Sequence, residues 1–116
     1  MMKIERVDSE LRREISNIVS TKVNDPRVRD KMISIMHVET TRDLKYCKVY
    51  VELPGGGNAD EAVQGLQSSA GFIRSELFKN LRIRTVPELI FVKDGSTDYA
   101  FKIENIIKNI RNNEEN

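Results

Sequence analysis

Across residues 59 to 81, apolar side chains recur at the three- and four-residue spacing of a helix: Ala59, Ala62, Val63, Leu66, Ala70, Ile73, Leu77 and Leu81. In the middle of that run stands Ser68-Ser69-Ala70-Gly71. Glycine in a helix interior costs about 1 kcal/mol relative to alanine, and serine is a weak helix former. One straight rod is therefore disfavoured, and two helices meeting at a bend are predicted. Phe72 and Phe78 are expected to help fill the elbow. A Gly71→Leu substitution is expected to destabilise or straighten the pair.

The elements around the bend follow from periodicity. Residues 3 to about 23 carry Ile4, Val7, Leu11, Ile15, Ile18 and Val19 on one side of a helix, with charged residues between them. Asn24-Asp25-Pro26 ends it, because proline disfavours helical geometry in the residue before it. Residues 46–53 alternate as a strand, with Cys47, Val49, Val51 and Leu53 on one face and Tyr46, Lys48, Tyr50 and Glu52 on the other. Residues 33–40 read as a second strand of mixed parity, so a bulge is expected near Met36 or His37. The short connection between the two strands predicts an antiparallel hairpin. Pro54-Gly55-Gly56-Gly57-Asn58 is a mobile connector, since the acidic Asp60 and Glu61 follow where a phosphate would sit. Asn58 starts the next helix, with Asp60 and Glu61 favouring its first turn. Residues 82–87 are extended, and 88–93 form a third strand. Residues 99–111 carry Tyr99, Ile103, Ile106, Ile107 and Ile110, a last helix that covers the core or docks on a partner. A single domain over 1–111 and a polar, disordered tail over 112–116 are expected.

Composition removes several functional classes. The 116 residues contain one cysteine and one histidine, which leaves neither an internal disulfide nor a cysteine-based zinc site. His37 and Cys47 both fall within strands, a poor place for a nucleophile and its base. His37 reads as structural and Cys47 as a buried small hydrophobe. No phosphate-binding motif of the Walker or GxGxxG type occurs, and no metal, cofactor or catalytic residue is expected. No apolar run reaches the roughly 20 residues of a membrane span, and the first residues lack a signal-peptide core, so a cytoplasmic, non-membrane protein is expected.

The order helix, strand, strand, helix, bend, helix, strand, helix makes an α+β fold, with a three-stranded sheet covered by helices on one face. Up to its third strand this is the order of the type II K-homology fold, a module for single-stranded nucleic acid. In such modules a GXXG loop joins the two middle helices and clamps backbone nucleotides. Here Ser69, Ala70 and Gly71 stand in its place. With them go Arg12-Arg13-Glu14-Ile15, Asn24-Asp25-Pro26-Arg27-Val28, Thr41-Arg42-Asp43-Leu44 and Cys47-Lys48-Val49-Tyr50-Val51. Ala70-Gly71-Phe72-Ile73-Arg74-Ser75-Glu76-Leu77 follows, and then Leu81-Arg82-Ile83-Arg84-Thr85-Val86-Pro87-Glu88-Leu89. In these stretches, ordered over residues 3 to about 110, the chain resembles the bacterial ribosome-binding factor A family. That family has an Ala-x-Gly kink instead of GXXG. Ser69 departs from its usual alanine, and its hydroxyl is expected to bond back to a carbonyl one turn earlier. The resemblance implies a non-enzymatic assembly factor for the small ribosomal subunit. It implies late action, a link to maturation of the rRNA 5′ end, and a role in growth in the cold.

Charge is segregated rather than in excess. The whole chain carries 19 basic and 18 acidic side chains. Residues 22–48 hold seven basic and four acidic, and residues 71–93 hold five and two. Residues 49–70 hold three acids and no base. The candidate RNA-binding residues are therefore Arg27, Arg29 and Lys31 on a loop, Arg42 and Lys45 at the hairpin tip, and Arg74, Lys79, Arg82 and Arg84 on the second half of the bend and its exit. Arg82 and Arg84 share parity and point the same way in an extended segment. Tyr46 and Tyr50 are the exposed-parity aromatics, available for base stacking or for sheet-surface packing. Recognition of RNA shape and backbone by a monomeric protein is the leading reading. The other is a protein-interaction module that uses the sheet face and last helix without touching RNA.

Overall fold

The computed structural model describes residues 4–94. The helix expected over 99–111 and the tail over 112–116 lie outside the described residues. Helix α1, Ile4–Thr21, buries Leu11, Ile15 and Ile18 completely, which is the stripe its spacing predicted. Near its end the Ser20 and Thr21 hydroxyls donate to the Asn17 carbonyl at 3.1 and 2.6 Å, giving the backbone an alternative to further helix.

The segment expected to be a loop after α1 instead forms a one-turn helix, α2, Pro26–Arg29. Asp25 caps it by accepting the Arg27 N–H at 2.9 Å, and proline occupies the first helical position, where its missing N–H costs nothing. The same Asp-Pro pair that stops α1 therefore starts α2.

Strands β1, Ser34–Thr40, and β2, Tyr46–Glu52, are antiparallel, with a register shift between Ile35 and His37 where the bulge was expected. The extra residue lets Ile35 and Val38 share the core face although three positions separate them. Gly56 and Gly57, at φ of 84° and 118°, turn the connector through left-handed backbone that suits only glycine. Helix α3, Ala59–Ser68, begins at Asn58, whose Oδ1 accepts the Glu61 N–H at 3.1 Å. Helix α4, Ala70–Asn80, follows after Ser69 alone. The pair then returns the chain to β3, Glu88–Lys93, which runs parallel to β2.

The sheet order is β1-β2-β3, so β2 is central. Its Cys47, Val49 and Val51 meet Leu11, Ile15 and Ile18 of α1, Val63 and Leu66 of α3, and Ile73 and Leu77 of α4 in one core. Burial pushes the Cys47 thiol up to about 12, in keeping with its reading as a hydrophobe. Tyr46, expected on an exposed face, is instead buried. Alternation tells which side of a sheet a residue faces, not whether that side is covered. None of the described helices is long and apolar enough to cross a membrane.

A candidate nucleic-acid interface at the bend

The bend is closed by main chain. The Ser69 N–H donates to the Gly65 and Leu66 carbonyls at 3.1 and 3.0 Å, and its own carbonyl accepts the Ile73 N–H at 2.9 Å. The Ser69 hydroxyl makes no cap bond to the first turn of α4. Gly71 also corrects the sequence reading, because a Cβ built there meets nothing within 4 Å. The bend does not need its glycine for space. The crowded glycine is Gly65, one turn before the bend. A Cβ there would lie 2.9 Å from both Arg27 Cβ and Val28 Cγ2, and 3.1 Å from Asp25 Oδ1. Gly65 lets α2 lie directly on α3.

That contact commits the first group of predicted cations. Arg27 donates from Nε and NH2 to the two Asp25 oxygens at 3.0 and 2.9 Å, and again from NH2 to Ser68 Oγ at 3.1 Å. The side-chain and backbone bonds from Arg27 hold the Asp25 carboxyl at about 2. Lys31 sits 3.3 Å from Glu61, and Arg29 pairs loosely with Asp30 at 3.7 Å. Arg27 and Lys31 thus tie α2 to α3, whereas Arg29 meets only the neighbouring Asp30 and stays exposed.

Arg74 is committed too. Its Nε and NH2 donate to the Pro87 and Val86 carbonyls at 3.1 and 2.9 Å, so α4 clamps the extended segment that leads into β3. Gln67 does the equivalent for α3. Its Nε2 donates to the Leu89 carbonyl and its Oε1 accepts the Phe91 N–H, both at 3.0 Å. One amide therefore pairs with the outer edge of β3 as a neighbouring strand would. A cleft of about 360 Å³ remains between bend and edge, lined by Gln67, Ala70, Gly71, Arg74, Glu88 and Ile90.

The remaining cations are differently placed. Arg42, Lys79, Arg82 and Arg84 are exposed and have no ion pair or hydrogen bond among the described residues. Lys45 is exposed as well. The α4 exit and the hairpin tip converge on one end of the sheet. Glu88 lies opposite Tyr46 in the parallel register, and its N–H donates to the Lys45 carbonyl at 2.8 Å. The tip is rigid: Thr41 Oγ1 donates to Asp43 Oδ1 at 2.7 Å, and the same oxygen accepts the Lys45 N–H at 3.1 Å. Leu44 completes the turn at φ 62°, a left-handed conformation that costs an L side chain roughly 1 kcal/mol. Leu44→Asn is expected to relieve that strain and raise stability by about 1 kcal/mol, read as a rise of a few degrees in thermal unfolding.

Two aromatic residues depart from the sequence expectation. Phe72 and Phe78 do not fill the elbow; they are 44% and 62% exposed. The α-helical pattern holds the signal, because Ile73 and Leu77 already define the buried side of α4 and both rings fall outside it. Of the expected stacking residues, Tyr50 lies flat against His37 with ring centres 4.1 Å apart, and Tyr46 is buried.

Comparison with known proteins agrees with the fold. Residues 3–107 match the family model described as ribosome-binding factor A. A ribosome-binding factor A from Clostridium botulinum is 39% identical over 112 residues, which is 96% of this chain and 92% of the relative. The crystal structure of ribosome-binding factor A from Thermus thermophilus superposes with a TM-score of 0.71 at 21% identity, covering 78% of this chain and 94% of that one. A homology model of the Thermus thermophilus ribosome binding factor A, fitted into a cryo-EM map of its 30S complex, superposes with a TM-score of 0.65 at 22% identity, covering 78% and 93%.

Proposed function

Since this chain belongs to the ribosome-binding factor A family, we propose that it binds the small ribosomal subunit and its rRNA through the α4 exit and hairpin tip. The observation that carries this reading is the set of unpaired cations, Arg42, Lys79, Arg82 and Arg84, on a chain that is otherwise electrically balanced. Among the described residues Arg6, Lys22, Arg27, Lys31 and Lys93 meet carboxylates of their own chain, whereas these four are left to solvent, as are Arg12 and Arg13 on α1. Arginine in an exposed, extended segment offers its fork to phosphate. Lys45 belongs to the same surface. Arg27, Lys31 and Arg74 support it, by fixing α2 against α3 and by holding the exit segment, and Arg29 stands exposed at the end of α2. The small-subunit partner is the one with which the Thermus thermophilus relative forms its 30S complex.

The protein acts without catalysis, as a cytoplasmic monomer whose residues 1–111 form one binding unit. It binds late in maturation and favours the rRNA conformer in which the 5′ end is processed, and it leaves when that conformer is lost. A ligand shifts a conformational equilibrium only through its differential affinity for the two states. Need for such help rises in the cold, where misfolded RNA escapes slowly.

Co-sedimentation with purified small subunits tests the reading. Association is expected to weaken steeply as salt rises, because each phosphate contact releases counterions, with a slope of about −0.7 per contact to single-stranded RNA. Salt-insensitive association would favour the protein-interaction module. Cells depleted of the protein are expected to accumulate small-subunit rRNA with an unprocessed 5′ end and to grow poorly in the cold. Normal processing there would remove the maturation role while leaving subunit binding intact.

A further inference from the structure

We propose that Phe72 and Phe78 stack on unpaired bases, so that α4 selects single-stranded RNA rather than duplex; the inference rests on the RNA-binding reading above. At 100° per residue, Gly71, Phe72, Ser75, Phe78 and Lys79 occupy a continuous sector of α4, opposite the buried Ile73 and Leu77. All five are exposed. Two large rings left in water on one helix face mark a contact surface.

Charge decides which partner they meet. The only acid of α4, Glu76, lies on the flank and is held by Lys22 at 3.3 Å. The exposed sector therefore contains no carboxylate. It carries Lys79 beside Phe78 and leads directly to Arg82 and Arg84. Aromatic faces beside uncompensated cations match a strand that presents π-faces and phosphates together. Nothing stands within 4 Å of the Gly71 Cβ position, so the backbone there is open to close approach between the rings and the bend.

The spacing sets the form of the ligand. Six residues of helix separate the rings by about 9 Å along the axis and by about 120° around it, so they look out in different directions from α4. Each ring therefore meets its own base rather than a shared stack. They fit a strand whose bases are splayed, which a paired helix does not offer.

The test uses a single-stranded oligoadenylate carrying 2-aminopurine, the same strand annealed to its complement, and purified small subunits. The wild-type chain is expected to prefer the single strand and to change its 2-aminopurine fluorescence on binding. Phe72→Ala and Phe78→Ala are each expected to lose about 5- to 150-fold in affinity for the single strand. Phe→Tyr at either position should retain binding, whereas Phe→Leu, which keeps apolar area without the π-face, should not. The salt slope should stay unchanged, because no phosphate contact is lost. Melting temperatures should barely move, since both rings are largely exposed. If the phenylalanine variants bind the single strand like wild type while Arg82→Glu with Arg84→Glu abolishes binding, stacking is refuted and the RNA reading stands. Loss of subunit association with the single-strand affinity intact would mean that the rings meet a protein, which also overturns the proposal. If neither the ring nor the charge variants affect binding, both readings fail.

Discussion

Gly65→Leu is expected to lower stability by about 3 kcal/mol, whereas Gly71→Leu should change it by less than about 1 kcal/mol. The two glycines are six residues apart on either side of the same bend, and the sequence singled out the second. The structure reverses their order. At Gly65 even a methyl group would sit 2.9 Å from Arg27 Cβ and Val28 Cγ2, and Val28 is buried in the core. Neither atom is the loose end of a long exposed side chain, so relief requires moving α2 away from α3. That movement would also break the bond from Arg27 to Ser68, which crosses from α2 to α3. At Gly71 a side chain would enter solvent. Thermal unfolding of the two variants decides the matter. A fall of about 10 °C is expected for Gly65→Leu, with little change for Gly71→Leu. Equal melting temperatures would show that α2 can lift off α3 at no cost. Because Gly71 lies in the proposed contact face, Gly71→Leu should impair RNA binding while leaving the fold intact.

Reversing both charges of the α4 exit, Arg82→Glu with Arg84→Glu, is expected to weaken association with small subunits by on the order of 100-fold or more. Each side chain is exposed and has no partner among the described residues, so the fold does not depend on either. Stability should stay within about 0.5 kcal/mol of wild type. Binding loses two charge-assisted contacts and gains repulsion from phosphate. The salt slope should fall in magnitude by about 1.4, two contacts' worth. Arg27→Glu is a useful contrast. It would lose the bond to Ser68 that ties α2 to α3 and would set a second carboxylate beside Asp25, and so should lower melting temperature along with binding. If the double reversal binds normally, the interface lies elsewhere on the chain.

The extent to which the sequence anticipated this arrangement differs residue by residue. The bend at Ser69, the bulge at Met36 and the cap at Asn58 are local. Each depends on what a residue does to its own backbone, so periodicity and turn chemistry reveal it. Helix α2 is legible in the same way, because Asp25 followed by Pro26 is a helix start as well as a stop, although the stop is the more conspicuous signal after a long helix. The candidate cations are visible as residue types, but their availability is not. Arg74 and Arg82 look alike in the sequence. One, on α4, donates to the Val86 and Pro87 carbonyls, and the other, in the segment after α4, faces solvent. The exposed rings run against expectation because a bend invites filling, whereas Ile73 and Leu77 already supply what the core needs.

The sequence by itself determined the order of the long helices and strands from α1 to β3, the broken helix pair, and the balance of charge that rules out a uniformly basic surface. These depend on backbone preference and on spacing along one chain. Only the tertiary structure decided that β3 runs parallel to β2, that Gly65 rather than Gly71 is the crowded glycine, and which cations remain unpaired. Those properties depend on distances between segments far apart in the chain. A guanidinium bonds to whatever acceptor folding brings within about 3 Å, and no pattern along a single segment records which acceptor that is.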